Sequence, residues 1–345
     1  MPVTIHDVAA AAGVNPATVS RALRGVPGKV SAAKRAEIEA VARKLGYTPN
    51  VVAASLRTKR TNIAAIVVPD LANPMFAPLV KGLEQELRKH DMLALITQPP
   101  EGRLERAELI RALAMHQVSG LLILAAEQDD AMLDAALLQR IPTVLLNRGS
   151  GDRRFSSVVN DDRESVRLVI EHLHGLGHSR IAHIAGPAFL STGLARRKAF
   201  EELAQPLCEG ALPIVEAQAF TREEGLRAGR QLLDLEPGSF TAVFASNDLL
   251  ALGMLDAARE RGVSVPKELS VVGHNDMPFV DIVQPPLTTV HMPIAEMSRQ
   301  AAQMFLEHVR EGAMMSTTTR ILQTTLVVRQ STAQVPGGQQ RRPAA

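Results

Sequence analysis

Four histidines fall close together in the run EHLHGLGHSRIAH: His172, His174, His178 and His183. Their spacing mixes i,i+2 with positions on both sides of a helix end, so a common zinc geometry does not follow, and no metal or other cofactor is expected. Asp161 and Asp162 form an adjacent carboxylate pair of the kind that can divide acid–base work. They sit where a strand run gives way to a helical one, and capping and dipole pairing account for them there. GLGHSR follows a helix and precedes a strand, the reverse of a dinucleotide loop. No nucleophile elbow, P-loop, metal motif or Cys–His pair is present, so the chain does not read as an enzyme. What remains are polar and aromatic side chains at the ends of apolar runs. Asp70, Asn73 and Phe76 follow the first, Ser246, Asn247 and Asp248 end a later one, and Asn275 and Asp276 end another. Phe220 is placed to stack on a ring. Such groups bind small polar molecules.

These residues are set by a regular alternation. The runs NIAAIVV, MLALIT, VSGLLIL, PTVLLN, RIAHIAG, FTAVFAS and LSVVGHN alternate with helical windows at 75–90, 103–115, 161–176, 192–205, 222–235 and 247–262. Strand then helix, repeated, means parallel sheets covered on both faces. So many units exceed one sheet of ordinary width, which predicts two doubly wound lobes with ligands held beyond the carboxyl ends of the strands, in the cleft between them. Residues 317–328 read as a last strand, and periodicity is lost from about Ala333, which predicts a disordered tail over 333–345.

Before residue 61 the pattern is different. Thr4 caps an apolar-periodic run of Ile5, Val8, Ala9 and Ala12 that Gly13 stops. Asn15 caps a second helix that begins at Pro16, with Val19, Ala22 and Leu23 on one face. Ser31 caps a third, with Ala32, Ile38, Val41, Ala42 and Leu45 inward and Gly46 as its stop. Two short helices joined by a tight turn, closed by a third, form a helix-turn-helix. The second helix then lies in the major groove, with Thr18, Ser20 and Arg21 as its polar side chains.

Charge agrees with that division. The 345 residues carry 38 Lys and Arg against 36 Asp and Glu, a net of +2. Residues 1–60 hold 10 of the former and 3 of the latter, so a headpiece of +7 precedes a body of −5 (28 against 33). A small basic module joined to an acidic body points to a polyanion partner for the first and another task for the second. One cysteine, Cys208, can close no intramolecular disulfide. There is no apolar signal segment and no run of about 18 apolar residues, so a soluble cytoplasmic protein without membrane contact is expected.

VTIHDVAAAAGVNPATVSRALRG, followed by LGYTPNVVAASLRTKRTN, resembles the headpiece and hinge of the lactose-repressor (LacI/GalR) family of bacterial transcription regulators, and the likeness runs to about residue 330. It implies an α/β protein with an N-terminal three-helix headpiece (1–48), a hinge helix and linker (49–60) and a two-lobed periplasmic-binding-protein-like domain (61–332). The N-lobe is about 61–160 and 292–320, the C-lobe about 161–291 and 321–330. It further implies a regulator, commonly a repressor, that binds a palindromic operator in double-stranded DNA as a homodimer. No C-terminal leucine heptad of the tetrameric members is visible.

The DNA-facing set that follows is Thr4, Pro16, Ala17, Thr18, Ser20, Arg21, Arg24, Asn50, Ala53, Leu56 and Lys59. Pro16 and Ala17 stand at the main base-reading positions, and Leu56 wedges into the minor groove from a hinge helix at 50–56. Pro16 and Ala17 lack hydrogen-bonding side chains, leaving apolar contact such as Ala17 with a thymine methyl. Arg24 and Lys59 replace Asn and Gly and add phosphate-facing charge.

In the cleft the resemblance implies Asn73, Phe76, Thr192, Arg196, Phe220, Asn247, Asn275 and Asp276 as effector contacts. Met75 replaces an aromatic, and Leu190 a polar residue of purine-binding relatives. Asn275 stands where sugar-binding relatives carry Asp, which exchanges an acceptor for a donor. The implied effector is a sugar or sugar acid, with Arg196 favouring the acid. A solute-binding protein would explain the body alone but not the helix-turn-helix. Control by a protein partner is the softer alternative.

Overall fold

The computed structural model describes residues 3–23, 29–47, 61–150, 154–311 and 317–335. Arg24, the hinge with Asn50, Ala53 and Leu56, Lys59 and the tail beyond 335 lie outside the described residues. The chain divides into two compact units, residues 1–61 and 62–345.

Among the described residues of the first unit, three helices form as their caps dictate: α1 (Ile5–Ala11), α2 (Pro16–Leu23) and α3 (Ala32–Leu45). Thr4 and Asp7 make a reciprocal capping box at the start of α1, and Ser31 accepts the Lys34 N–H at the start of α3. Gly46 ends α3 at φ +69°, a left-handed conformation glycine adopts without a steric penalty. Val8, Ala9, Ala12, Val19, Ala22, Ile38 and Ala42 make the core. Ala32 and Leu45, expected inward, are exposed. Tyr47, just past the end of α3, packs against the core.

The second unit holds two six-stranded sheets. The N-lobe sheet runs in the order β11 (Thr319–Leu322), β5 (Ser156–Asn160), β4 (Thr143–Leu146), β3 (Gly120–Ile123), β1 (Ile63–Val67), β2 (Leu93–Thr97), parallel throughout. The C-lobe sheet runs β12 (Thr325–Val327), β10 (Thr288–His291), β9 (Ser270–Asn275), β8 (Ala242–Ala245), β6 (Ile181–Ala185), β7 (Ile214–Glu216). Among the described residues, four helices belong to the N-lobe: α4 (Phe76–Arg88), α5 (Arg103–Met115), α6 (Ala131–Leu138) and α11 (Ile294–Glu311). The C-lobe has α7 (Asp162–Gly175), α8 (Ser191–Ala204), α9 (Arg222–Leu233) and α10 (Asp248–Glu260).

Successive residues of a strand serve opposite helical layers. Ala64 and Ile66 face one core with Leu79, Leu83 and Phe305, while Ala65 and Val67 face another with Ile110 and Leu113. That is why these strands read as unbroken apolar runs.

Three expectations are corrected. The last strand is two: β11 completes the N-lobe sheet, and two residues later β12 enters the C-lobe sheet antiparallel to β10. The strands of both lobes point their carboxyl ends at the cleft, so a chain that runs straight out of one lobe enters the other against its strands. The N-lobe therefore extends to Leu322 rather than residue 320. Ala333 and Val335 are not loose: Ala333 O accepts from His178 Nε2 at 3.1 Å, and the Val335 N–H donates to Leu176 O. Strands β5, β7 and β10 and helices α6 and α11 lie outside the runs and windows read from the sequence.

Candidate functional site

On the headpiece, Ala17 and Arg21 stand four residues apart on α2 and are both exposed, opposite buried Val19 and Ala22. Pro16, Thr18 and Ser20 are half-buried. The Thr18 hydroxyl donates to Asn15 Oδ1 at 3.0 Å, beside the capping bond from the Thr18 N–H at 2.7 Å. The Thr4 hydroxyl likewise donates to Asp7 Oδ2 at 2.7 Å. Bonds from the Thr4 N–H and hydroxyl hold the Asp7 carboxyl below its ordinary pKa. With their protons committed locally, Thr4 and Thr18 have no hydroxyl hydrogen left for a phosphate oxygen in this arrangement. Two of the positive charges also close the headpiece from within. Lys34 Nζ donates to Ala12 O at 3.0 Å and Arg35 Nε to Ala22 O at 3.0 Å, each satisfying a carbonyl at the C-terminal end of a short helix.

In the body, the carboxyl ends of β1, β4, β6, β8 and β9 converge on one cleft. It is lined by Asn73, Met75, Phe76, Asn147, Arg148, Thr192, Arg196, Phe220, Asn247 and Asn275. The lobes stand close there and leave a cavity of about 20 Å³, room for about one water. Across the mouth the β3–α6 loop clasps the C-lobe: the Gln128 N–H donates to Phe189 O at 3.1 Å and Gln128 Nε2 to Ala188 O at 3.3 Å. Arg106 holds that loop, bonding both Asp130 oxygens (3.2 and 2.7 Å) and the Ala125 carbonyl, with Glu127 at 3.0 Å.

Seven of the eight effector positions expected from the sequence meet here: Asn73, Phe76, Thr192, Arg196, Phe220, Asn247 and Asn275. Asp276 is turned aside, its carboxylate held by Arg329 at 2.7 Å and His291 at 2.9 Å. Met75 lines the cleft beside Asn73 and Phe76, and Asn147 and Arg148 join it without having been expected from the sequence. The run PTVLLN was read as a strand, and the rule that ligands lie beyond strand ends applied to its last residue and the next as much as to the others.

The two arginines differ in their partners. Arg196 Nε donates to Asp162 Oδ1 at 2.7 Å and Nη1 to Ser246 O at 2.6 Å. Asp161 caps α7 by accepting the Glu164 N–H at 2.9 Å, so the carboxylate pair divides into a cap and a counter-ion. Arg148 is buried, its Nε has no hydrogen-bond partner, and it makes no ion pair among the described residues. Burial pushes its pKa down to about 10, which still leaves the side chain charged at neutral pH. Its guanidinium lies 5.9 Å from the Phe220 ring centroid. That ring rests against Gly186, where a Cβ would stand 2.3 Å from it, so the strand end must be glycine for Phe220 to enter the cleft.

The histidines serve separate ends. His183 stacks against both Phe200 and Phe244, the three rings forming one cluster, and is held neutral by burial, its pKa about 3. His178 bonds Thr241 and Ser270, and His172 bonds Thr332. Beneath Asn275, Asp248 accepts the Thr289 hydroxyl at 2.5 Å and the Met277 N–H at 2.8 Å. These bonds fix a loop in which Asn275, Asp276 and Phe279 all adopt positive φ. Burial raises the Asp248 pKa to about 7.

Residues 4–50 match the bacterial regulatory proteins of the lacI family, and residues 170–332 match the periplasmic binding protein-like domain. The chain is 31% identical over 337 residues to the HTH-type transcriptional repressor CytR of Escherichia coli (strain K12), covering 96% of this chain and 97% of that one. The chain belongs to the LacI family. Among solved structures this LacI-family chain resembles the lac repressor dimer bound to operator and the anti-inducer ONPF, with TM-score 0.81, 26% identity and 96% and 100% of the two chains covered. It also resembles the transcriptional regulator CelR in complex with cellobiose, with TM-score 0.73, 30% identity and 95% and 99% covered. The fold is thus a helix-turn-helix domain followed by two parallel-sheet lobes, and the protein is a transcription regulator. Among the described residues no helix is long and apolar enough to cross a membrane.

Proposed function

We propose that this chain is a cytoplasmic repressor without enzymatic activity, which binds a palindromic operator as a homodimer and is controlled by a small molecule in the cleft. The observation that carries the reading is the convergence of strand-end residues from both lobes on one polar cleft, in a chain that begins with a basic helix-turn-helix. A ligand held by both lobes changes their relative setting. It can shift DNA affinity only by as much as it prefers one setting over the other. The lac repressor relative is a dimer on its operator. Here β2 is an edge strand whose Leu93, Leu95 and Ile96 are exposed, an apolar edge that a second copy of this chain would cover.

On α2 the exposed Arg21 reads bases, while Ala17 offers only a methyl contact. Selection of bound duplexes from a randomised library, read by sequencing, tests this. A two-fold palindrome is expected, with Arg21→Ala binding more weakly by about 1 to 3 kcal/mol and with relaxed preference at one position per half-site. Recovery of no sequence preference by the wild-type chain would contradict the reading.

A further inference from the structure

The cleft groups are nearly all donors. Asn73 Oδ1 accepts the Met75 N–H at 3.1 Å, and Asn247 Oδ1 accepts the Leu250 N–H at 2.8 Å. A backbone N–H can only donate, so neither amide can be turned round, and each leaves its NH2 for the cleft. Asn275 Oδ1 lies 3.0 Å from His274 Nδ1, and His274 Nε2 is buried without a partner. A proton on Nδ1 leaves a bare lone pair at Nε2. The other tautomer would bury an unmatched N–H, which folded proteins tolerate least. Nδ1–H therefore donates to Asn275 Oδ1, and Asn275 too presents NH2.

The carboxylates nearby are committed elsewhere. Asp162 is held by Arg196, Asp248 by Thr289 and the Met277 N–H, Asp276 by Arg329 and His291, and Glu127 by Arg106 at 3.0 Å. A neutral sugar needs acceptors for its hydroxyl protons. The cleft offers one clear acceptor, Asn147 Oδ1, which is buried without a partner, and the Thr192 hydroxyl. Set against these are three NH2 groups and the Arg148 guanidinium.

We propose that the effector of this cleft is an anion, a small hydroxylated molecule whose carboxylate or phosphate is received by Arg148 and the NH2 groups of Asn73, Asn247 and Asn275, with a hydroxyl donating to Asn147 Oδ1. This rests on the reading of the cleft as the effector site. It differs from the sequence expectation in moving the anion from Arg196, whose charge Asp162 already answers, to Arg148. It also makes the acid a requirement of the cleft.

Calorimetric titration of the full chain with matched probes tests it: D-glucose, D-gluconate, D-glucuronate and D-glucose 6-phosphate, and the corresponding galactose set with D-galactose 1-phosphate. At least one acid or phosphate is expected to bind 10-fold or more tightly than its parent sugar, and the arm that binds separates carboxylate from phosphate. Arg148→Met should weaken that ligand about 10- to 100-fold, the range for lost charge-assisted hydrogen bonds, with the melting temperature retained. Asn275→Asp, which restores an acceptor, should weaken the acid and strengthen the parent sugar. A neutral sugar that binds as tightly as its acid and phosphate overturns the proposal, as does failure of every anion in the set. Operator binding measured on the same preparations separates the readings: neutral-sugar preference with intact DNA binding defeats this inference alone, whereas loss of sequence-specific DNA binding defeats the regulator reading.

Discussion

The N-lobe and the C-lobe each bring an arginine to the cleft, Arg148 from the segment directly after β4 and Arg196 from within α8, the helix that follows β6, and the two side chains are under opposite constraints. The sheets even share one order of strands, β2, β1, β3, β4, β5, β11 matching β7, β6, β8, β9, β10, β12. In the C-lobe, Arg196 is answered by Asp162 and a carbonyl, so it cements α8 to α7 and the end of β8. In the N-lobe, Arg106 plays that cementing part with Asp130, and Arg148 is left over, buried and without an ion pair among the described residues. The repeated fold does not give the two arginines equivalent places, since β4 matches β9 while β6 matches β1. The chemistry of each is set by what stands beside it, and here one arginine is structural while the other holds charge in reserve.

Three substitutions probe that contrast, in falling order of effect on stability. Arg196→Met leaves Asp162 without its counter-ion in a protein interior, which costs about 3 to 5 kcal/mol. A lowered melting temperature with no ligand present is expected, and an unchanged one would show that Asp162 finds another partner. Asp248→Asn acts through pH. Burial raises this carboxyl from an ordinary 3.8 to about 7, so the folded state binds its proton more tightly than the unfolded chain. The associated stability is complete below about pH 4 and is lost as pH rises to about 7, at no more than about 1.4 kcal/mol per pH unit. Denaturant midpoints measured from pH 4 to 8 should fall less steeply in Asp248→Asn than in the wild type. Equal slopes would place the titrating group elsewhere. Arg148→Met has the smallest expected effect: removal of a buried charge that makes no ion pair among the described residues, and only a longer-range attraction to Glu127, leaves stability within about 1 kcal/mol, or raises it. A loss as large as that of Arg196→Met would erase the difference between the two lobes.

The sequence carried the three capped helices, the alternation of strand and helix, and most of the cleft, because each depends on local chemistry. Thr4, Asn15, Ser31, Asp161 and Asn247 cap the helices they were placed before. What it hid depends on distance along the chain. β5 and β10 open with Ser156–Ser157 and Thr288–Thr289, polar residues that do not look like buried strand until their hydroxyls find partners 41 to 162 residues away: Ser157 donates to Thr319 Oγ1, and Thr288 Oγ1 accepts the Arg329 N–H. α6 is apolar nearly all round and shows little helical period. Arg196 looked like the ligand's cation because Asp162, 34 residues earlier, could not be seen to neutralise it. Arg148 was passed over although it directly follows a recognised strand.

The central claim is that a ligand seated against Arg148 governs DNA binding, and one titration addresses it directly. Fluorescence anisotropy of the selected operator duplex would be followed in the wild type and Arg148→Met, with and without the acid or phosphate found by calorimetry. The account predicts equal operator affinity for the two proteins alone, and a shift of about 5-fold or more on adding ligand to the wild type only. An undiminished ligand response in Arg148→Met would contradict it.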